Sequence, residues 1–253
     1  MKIVLSPAKS LDFNNTPKIN DCSQPIFLKE SQSLVDVLKK YSPTQIGELM
    51  SVSPKLSDLN YERFQNWSLP FTSENAKPAL YVFTGDAYRG MNSRNFSAAD
   101  VGNAQNYLRI LSGLYGILKP HDIIQPYRLE MGTKLNYSTK IKNLYQFWAD
   151  QVTDSLNDEM EKGEVLVNLA SNEYFKVINP KKLNHRIVTC SFKDEKNGVY
   201  KMISVYAKFA RGLMTRFIIQ NKLTEVEHLK TFDLEGYLFN KEMSTEDNFV
   251  FIR

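Results

Sequence analysis

Three segments place polar side chains directly after, or at the end of, short apolar runs that read as strands. The runs are 3–5, 79–83 and 165–170, and the side chains are Ser6, Lys9, Asp86, Asn168, Ser171 and Glu173. Ligands of open α/β sheets bind beyond the strand ends, where such groups can hold a small anion and transfer protons. Ser171 also reads as the N-cap of a helix whose first N–H groups would attract an anion. Together the segments predict one polar cleft, although each alone is equally typical of a capped turn.

A fourth segment, Leu-Ser-Gly-Leu-Tyr-Gly-Ile-Leu at 111–118, predicts a helix-hairpin-helix motif near residues 104–126. In that motif, glycines let the hairpin backbone approach a nucleic-acid phosphate, so that main-chain N–H groups contact its oxygens. The predicted hairpin residues are Gly113, Leu114, Tyr115 and Gly116, flanked by Lys119 and Arg128. Two residues separate the glycines where one is usual, and Gly-x-x-Gly is also common at ordinary helix ends.

Positive charge is concentrated between Lys176 and Arg216. This stretch of 41 residues holds ten Lys or Arg against two acids, or +8, whereas the whole chain carries +4. Such a field attracts phosphates, although a charged run is also typical of a solvated surface. The candidates for a basic cleft, taken from charge and position, are Lys9, Lys119, Arg128, Lys208, Arg211 and Arg216.

The signatures of several enzyme and metalloprotein classes are absent from the sequence. There is no GxSxG, Walker loop, GxGxxG or HExxH, and Cys22 and Cys190 have no CxxC neighbour. We therefore predict no metal site, disulfide or cofactor. No signal peptide is recognisable and no run approaches the roughly 18 apolar residues of a membrane span, so we expect a cytoplasmic protein without a membrane partner.

The predicted fold class is α+β, a single compact mixed α/β body over residues 1–253. The chain has no repeat and no Gly/Ser linker, and 42% of it is hydrophobic. Besides the strands above, we predict strands at 187–192 and 199–205 around an Asn197-Gly198 turn. Helices are predicted at 31–40, after Ser42-Pro43, after Ser53-Pro54, from Ser97 through Leu111, and at 206–222.

The chain resembles the YaaA family of bacterial peroxide-stress-resistance proteins over nearly its whole length. The resemblance rests on LSPAKSLDF at 5–13, TGDAYRGM at 84–91, LRILSGLYGILKPHDIIQPYRLEMG at 108–132, LYQFWAD at 144–150, NLASNEYFK at 168–176 and YAKFARGLMTRFII at 206–219. It implies a mixed α/β body with a basic cleft and a helix-hairpin-helix, DNA binding, and a role in limiting iron-dependent oxidative damage to DNA.

Two hypotheses for function stay open at this point. The first is sequence-tolerant binding of duplex or branched DNA in the peroxide stress response, without catalytic residues. The alternative is an enzyme acting on a base, nucleotide or related small anion, with Asp86 or Glu173 as general acid or base if buried beside Lys9 or Arg128. A deep pocket would favour the enzyme, and an open groove would favour binding alone. Direct iron storage is disfavoured, because carboxylates, His and Cys are not at ligand spacing.

Overall fold

A mostly parallel β-sheet forms the centre of the protein, which a computed structural model describes over residues 1–17 and 21–253. The strands are β1 (Lys2–Leu5), β2 (Ser10–Leu11), β3 (Lys77–Pro78), β4 (Phe83–Thr84), β5 (Leu108–Ser112), β6 (Gly116–Leu118), β7 (Ile123–Ile124), β8 (Val165–Leu169), β9 (Arg186–Lys196), β10 (Val199–Lys201), β11 (Leu238–Phe239) and β12 (Asn248–Ile252). The α-helices are α1 (Leu28–Leu38), α2 (Pro43–Met50), α3 (Pro54–Asn66), α4 (Ala79–Val82), α5 (Asp86–Met91), α6 (Ala98–Tyr107), α7 (Leu144–Trp148), α8 (Gln151–Glu159), α9 (Asn172–Phe175) and α10 (Ser204–Gln220). Short 3₁₀ helices cover Ser93–Asn95, Val226–Thr231 and Leu234–Gly236.

The sheet has the order β11-β12-β9-β8-β1-β5-β6, with β10 paired to β9. Strands β12, β9, β8, β1 and β5 run parallel, and β11 and β6 are antiparallel strands at the two edges. If the five parallel strands β1, β5, β8, β9 and β12 are numbered 1 to 5 along the chain, their order in the sheet is 2-1-3-4-5. Strands β5 and β8 thus flank β1 on opposite sides. The chain therefore changes its direction of growth between β1 and β8. Ligand crevices open at such switch points, beyond the carboxyl ends of the strands.

The mixed α/β character is confirmed, but the prediction of an α+β arrangement is wrong. Its central strands are parallel and are joined by helical crossovers, as in α/β folds. The pairing of β1 with β5 and β8 joins segments more than 100 residues apart, so no local pattern reveals it. Within the described ranges, no helix has the length and apolar character needed to cross a membrane.

Helix starts and the tight turn follow local sequence rules, and their predictions are confirmed. Ser42 Oγ accepts the Gln45 N–H at 3.3 Å, while Gln45 Oε1 accepts the Ser42 N–H at 2.8 Å. Ser97 forms the same reciprocal box with Asp100. Between β9 and β10, Asn197 takes a positive φ of 57° in the predicted Asn-Gly turn.

Two predicted elements are wrong. The strand predicted at 79–83 is the one-turn helix α4, followed by the two-residue strand β4 that pairs with β2. The helix predicted from Ser97 through Leu111 ends at Tyr107, and the apolar residues beyond it form β5. Strand β5 lies between β1 and β6 and is buried at every position, as expected for a strand inside a sheet that is covered on both faces.

The predicted helix-hairpin-helix near 104–126 is also wrong. These residues form the end of α6, the antiparallel pair β5–β6 and β7, so the turn at 113–116 joins two strands. Leu114 and Tyr115 are fully buried, and a Cβ on Gly113 would lie only 2.2 Å from the Leu129 carbonyl oxygen. Gly116 has a positive φ of 68°, and a Cβ on it would lie 2.9 Å from the Trp148 ring. The glycines therefore serve internal packing and do not open the backbone to a phosphate.

Helices α5 and α10 contact each other backbone to backbone. A Cβ on Gly212 would lie 1.8 Å from the Ala87 carbonyl oxygen, and one on Gly90 would lie 2.2 Å from the Phe209 carbonyl oxygen. Only glycine permits this approach at the two positions. The crossing brings the start of α5, at Asp86, close to the basic residues of α10.

Candidate functional site

A cavity of about 260 Å³ lies beyond the carboxyl ends of β1 and β8. We call it the switch-point cavity. Its walls come from four segments, at 5–10, 84–88, 169–174 and 208–211. The sequence-predicted residues that the structure brings together here are Ser6, Lys9, Asp86, Ser171, Glu173, Lys208 and Arg211. Its position is the one expected for a ligand site in a sheet of this strand order.

Hydroxyl groups join the ends of β1 and β8 at the floor of the cavity. Ser6 Oγ accepts the Ser171 N–H at 2.9 Å and lies 3.3 Å from Ser171 Oγ, and the Tyr88 hydroxyl donates to the Ser6 carbonyl at 3.1 Å. The Ser171 N–H is thus already occupied by Ser6. Helix α9, which Ser171 precedes, extends over only four residues, from Asn172 to Phe175, and binding of an anion by its first N–H groups stays a prediction.

Two carboxylates line the cavity, and each has a partner. Asp86 Oδ1 pairs with Arg89 Nη2 at 3.1 Å, one turn along α5. Glu173 Oε1 accepts the Gly132 N–H at 3.0 Å, and the Glu173 carbonyl oxygen accepts the Tyr145 hydroxyl at 2.7 Å. These bonds fix the carboxylates at the cavity wall, so that their free edges can accept protons or N–H donors from a ligand.

Glu130 pairs with Lys9 and Arg128, the two cations that the enzyme hypothesis considered as neighbours of Asp86 or Glu173. Its carboxylate pairs with Lys9 Nζ at 2.7 Å and with Arg128 Nη2 at 2.9 Å. Lys9 and Arg128 therefore converge on Glu130, although Lys9 also lines the cavity together with Asp86 and Glu173. Glu130 lies inside the longest of the sequence blocks that resemble the YaaA family, and that membership was the only sequence signal for it.

Lys208 and Arg211 are the cations of the cavity that remain without an acidic partner among the described residues. They lie one turn apart on the same face of α10, with Lys208 exposed and Arg211 half-buried. Burial lowers the pKa of the Arg211 guanidinium, which nevertheless stays charged at neutral pH. A partly desolvated cation without a counterion is favourably placed to bind an anionic ligand.

Two tyrosines that the sequence reasoning did not single out complete the wall. Tyr88 and Tyr174 are buried, and burial raises the pKa of both phenols well above the ordinary value, with the neighbouring Tyr127 adding to the effect. Both hydroxyls are therefore protonated at any physiological pH. Tyr88 was visible only as part of the segment Gly-Asp-Ala-Tyr-Arg-Gly, which carries Asp86.

Several predicted site residues lie elsewhere. Asn168 supports the turn after β8, where its Oδ1 accepts the Ala170 N–H at 2.9 Å, and it does not line the cavity. Lys119 follows β6 and pairs at 3.4 Å with Glu159, which also pairs with Lys2 at the amino end of β1, the end of that strand away from the cavity. Arg216 is five residues beyond Arg211 on α10, on a different face, and is not part of the cavity wall. Neither the buried 113–116 turn nor Arg128 belongs to the wall.

Within the ranges 1–17 and 21–253, no group of three or more His, Cys, Asp or Glu side chains is clustered closely enough to hold a metal ion. The cavity instead combines cations, hydroxyls and two carboxylates. Such a set can bind a polar organic anion through ion pairs at one end and hydrogen bonds at the other.

Comparison with known proteins assigns the family. A family model described as peroxide stress protein YaaA matches residues 1–243. The chain belongs to the YaaA family. A UPF0246 protein of Marinomonas sp. (strain MWYL1) is 51% identical over 253 residues, covering 100% of this chain and 97% of that protein. UPF0246 proteins of Saccharophagus degradans and Colwellia psychrerythraea are 52% identical over 256 residues and 53% identical over 255 residues, each covering 100% of this chain and 99% of the relative.

The YaaA resemblance drawn from the sequence is thus confirmed, and with it the peroxide-stress connection of the family. Four of the blocks that carry the resemblance, beginning at 5, 84, 168 and 206, contribute walls of the switch-point cavity. This coincidence makes the cavity the candidate functional site of the YaaA fold in this chain.

Proposed function

We propose that this chain acts in the peroxide stress response by binding DNA, and that it holds one nucleotide unit of a strand in the switch-point cavity. The observation that supports this most directly is the pair Lys208 and Arg211, two cations that have no acidic partner among the described residues and line a cavity of about 260 Å³. The volume is slightly below the roughly 300–1,000 Å³ of typical small-molecule sites. It suits a single nucleotide unit and is far too small for a duplex.

The distribution of charge within the cavity orients the nucleotide. Carboxylates repel phosphate, so the phosphate faces Lys208 and Arg211 on α10. The base then faces Asp86 and Glu173, whose oxygens can accept hydrogen bonds from its N–H groups. A base can enter only when it is unpaired, and we therefore expect single-stranded or branched DNA to bind more tightly than intact duplex.

Protection of DNA from iron-dependent damage would follow from occupancy of exposed bases and not from iron binding. Unpaired bases are the parts of DNA most open to diffusing oxidants, and a protein that covers them removes that access. The family's description as peroxide stress proteins supports this biological setting. The mixed donor set of the cavity, with its cations and hydroxyls, favours an anion over Fe²⁺.

Fluorescence anisotropy with labelled single-stranded, three-way-junction and duplex DNA tests the proposal. Titrations between 20 and 200 mM salt should show affinity falling steeply with salt and varying little with sequence. The double variant Lys208→Glu/Arg211→Glu should lose at least tenfold in affinity for every DNA. Lys162 is exposed and lies just before β8, at the end of this strand away from the cavity, so Lys162→Glu is the matched control and should lose far less. Absence of binding by the wild type at 20 mM salt would refute the proposal.

A second candidate is an enzyme acting on a base, nucleotide or related small anion. The specific observation in its favour is that Asp86 and Glu173 line the same cavity as Lys208 and Arg211, because binding of a DNA backbone alone has no use for carboxylates at that place. In this alternative, α10 binds the anionic end and one of the two carboxylates acts as general acid or base.

Turnover assays distinguish the two candidates. Nucleosides, nucleotides and oligonucleotides with damaged bases are incubated with the protein and analysed by mass spectrometry. A product that disappears with Asp86→Asn or Glu173→Gln, while both variants still bind DNA, would establish the enzyme. If every substrate is recovered unchanged although DNA binds, the binding function stands alone.

A further inference from the structure

A second depression adjoins the switch-point cavity. It has a volume of about 250 Å³, and we call it the Tyr81 pocket after the buried tyrosine in its wall. Thr84, Gly85 and Tyr88 line both depressions, so the two share one wall. Gly85 is exposed and has a φ of 112° and a ψ of −176°, a conformation that is essentially restricted to glycine. Because no side chain rises from the wall at this residue, a strand that occupies the cavity can cross there into the Tyr81 pocket.

The Tyr81 hydroxyl is a hydrogen-bonding group that the protein does not use. Tyr81 lies on α4 and is only 8% exposed, yet its hydroxyl forms no hydrogen bond with the described residues. Burial raises the pKa of this phenol, so the hydroxyl stays protonated and can donate. Buried polar groups nearly always have a partner, and an exception needs an explanation, such as a bound molecule or ion. Because Tyr81 lines an open pocket, its missing partner is one that enters from solvent.

The other polar groups in the wall of the Tyr81 pocket favour an anion. The side-chain amide of Asn92, which follows α5, forms no hydrogen bond within the described part of the chain. Arg89 and Arg94 supply two guanidinium groups, and no Asp or Glu of the described ranges lines the pocket. Guanidinium, amide and phenol groups can all donate to the oxygens of one phosphate.

Each guanidinium is held by an acid that lies outside the pocket wall. Arg89 Nη2 pairs with Asp86 at 3.1 Å. Arg94 Nη2 pairs with Asp12 at 2.9 Å, and its Nη1 donates to the Asn15 carbonyl oxygen at 2.7 Å. An arginine has five N–H donors, so both side chains are fixed in place and still offer N–H groups to a ligand.

Arg89 also links the Tyr81 pocket to the switch-point cavity. Its partner Asp86 lines the cavity, whereas Arg89 lines the pocket. The Arg89 guanidinium carbon lies 5.3 Å from the centre of the Phe209 ring on α10, the helix that carries Lys208 and Arg211. The donors of the pocket are therefore next to the helix that faces the phosphate in the proposed function.

We infer that the Tyr81 pocket is a second subsite, in which Tyr81, Asn92 and Arg94 bind the phosphate next to the nucleotide held in the switch-point cavity. Its volume, close to that of the cavity, leaves room for the nucleoside attached to this phosphate. The inference rests on the proposed function and specifies its ligand as a single strand of at least two nucleotides. A free mononucleotide fills the cavity alone, so the pocket distinguishes a strand from a free nucleotide.

Binding of two probes tests the inference, a fluorescently labelled octathymidylate and thymidine monophosphate as its competitor. Tyr81→Phe should lower the affinity for the octamer about three- to tenfold, the loss expected for one hydrogen bond, and leave the affinity for thymidine monophosphate unchanged. Its melting temperature should stay the same or rise, because the substitution removes a buried hydroxyl that has no partner among the described residues. A lower melting temperature would show that the hydroxyl serves the fold and would overturn the inference.

Tyr115→Phe is the matched control. Tyr115 is buried away from both depressions, and its hydroxyl accepts the Trp67 Nε1–H at 3.0 Å, so this variant should lose stability and keep both affinities. Arg94→Gln should weaken octamer binding more at 20 mM than at 200 mM salt, because it removes a charge that faces the phosphate. Lys55→Gln, exposed on α3, should leave both affinities unchanged.

The outcomes separate the subsite from the proposed function. If the octamer binds and Lys208→Glu/Arg211→Glu weakens it, while Tyr81→Phe and Arg94→Gln behave like Lys55→Gln, the second subsite is wrong and the proposed function survives. An equal loss of affinity for both probes in Tyr81→Phe would also overturn the subsite, because the hydroxyl would then act on the mononucleotide. If the wild type binds neither probe, both are wrong.

Discussion

Replacing Gly212 by alanine tests whether the α5–α10 contact holds the site together. The new Cβ would lie 1.8 Å from the Ala87 carbonyl oxygen and 2.7 Å from the Met91 nitrogen, both backbone atoms that no side-chain rotation can move away. The helices must therefore separate by more than 1 Å. Overpacking of this kind costs about 1–3 kcal/mol, and a contact with backbone belongs at the upper end. Alanine regains about 1 kcal/mol of helix propensity, so the net loss should be about 2 kcal/mol.

Urea unfolding followed by circular dichroism measures this difference, and for a chain of this length the melting temperature should fall by about 4–8 °C. DNA affinity should fall as well, because the separation moves Lys208 and Arg211 away from Asp86. Gly102→Ala is the matched control, since a Cβ on Gly102 in α6 meets nothing within 4 Å. That variant should be as stable as wild type or more stable, by up to about 1 kcal/mol. Equal behaviour of the two alanine variants would show that the close crossing of α5 and α10 does not exist in solution.

Three further predictions concern residues away from the cavity. Burial opposes ionisation of Glu159, but its ion pair with Arg109 outweighs this effect and lowers the pKa of the carboxyl. The ion pair therefore stabilises the fold fully above about pH 4.5, and this stabilisation is lost as the pH falls through the lowered pKa. Glu159→Gln should lower the free energy of unfolding by about 2 kcal/mol at pH 7, and between pH 5 and 3 it should lose less stability than wild type. Parallel curves of unfolding free energy against pH for the two proteins would contradict this. Tyr115→Phe removes the hydroxyl that accepts the buried Trp67 Nε1–H at 3.0 Å, and it should lower the free energy of unfolding in urea by about 2 kcal/mol without changing DNA affinity. Weaker DNA binding at unchanged stability would instead support a DNA-binding hairpin at residues 113–116. Burial raises the pKa of the Cys190 thiol to about 12 and keeps it from reagents in solution. The number of thiols that react with Ellman's reagent at pH 8 should therefore rise by one when the protein is unfolded. An unchanged number would show that Cys190 is accessible in the folded protein.

The parts of the fold that sequence predicts are those decided within a few residues. The capping boxes at Ser42 and Ser97 and the Asn197-Gly198 turn depend on neighbours three residues away or fewer, and all three are confirmed. The apolar run at 108–112 is different, because its residues suit a helix or a buried strand equally well. Its partners β1 and β6 decide the matter, and β1 lies about 100 residues away in sequence.

The candidate site shows the same division. Polar residues at strand ends could be expected to meet, and Ser6, Asp86 and Glu173 do line one cavity. The counterion of Lys9 could not be predicted, because Glu130 comes from a loop that no pattern aligns with β1. The Gly-Leu-Tyr-Gly turn was misread for a related reason. Glycine allows a close approach of the backbone either to a phosphate or to another part of the protein, and the sequence does not distinguish these two roles. The burial of Tyr115 in the structure identifies the second role.

The four segments of the switch-point cavity have a consequence for protein synthesis. They are spread along the chain from Leu5 to Arg211, and the cations Lys208 and Arg211 are supplied last, by α10. A nascent chain on the ribosome therefore has no complete site until more than four fifths of it has been translated. Prematurely terminated copies that lack α10 would also leave the glycine face of α5 uncovered. Such products would therefore lack one wall of the switch-point cavity together with both of its α10 cations, Lys208 and Arg211.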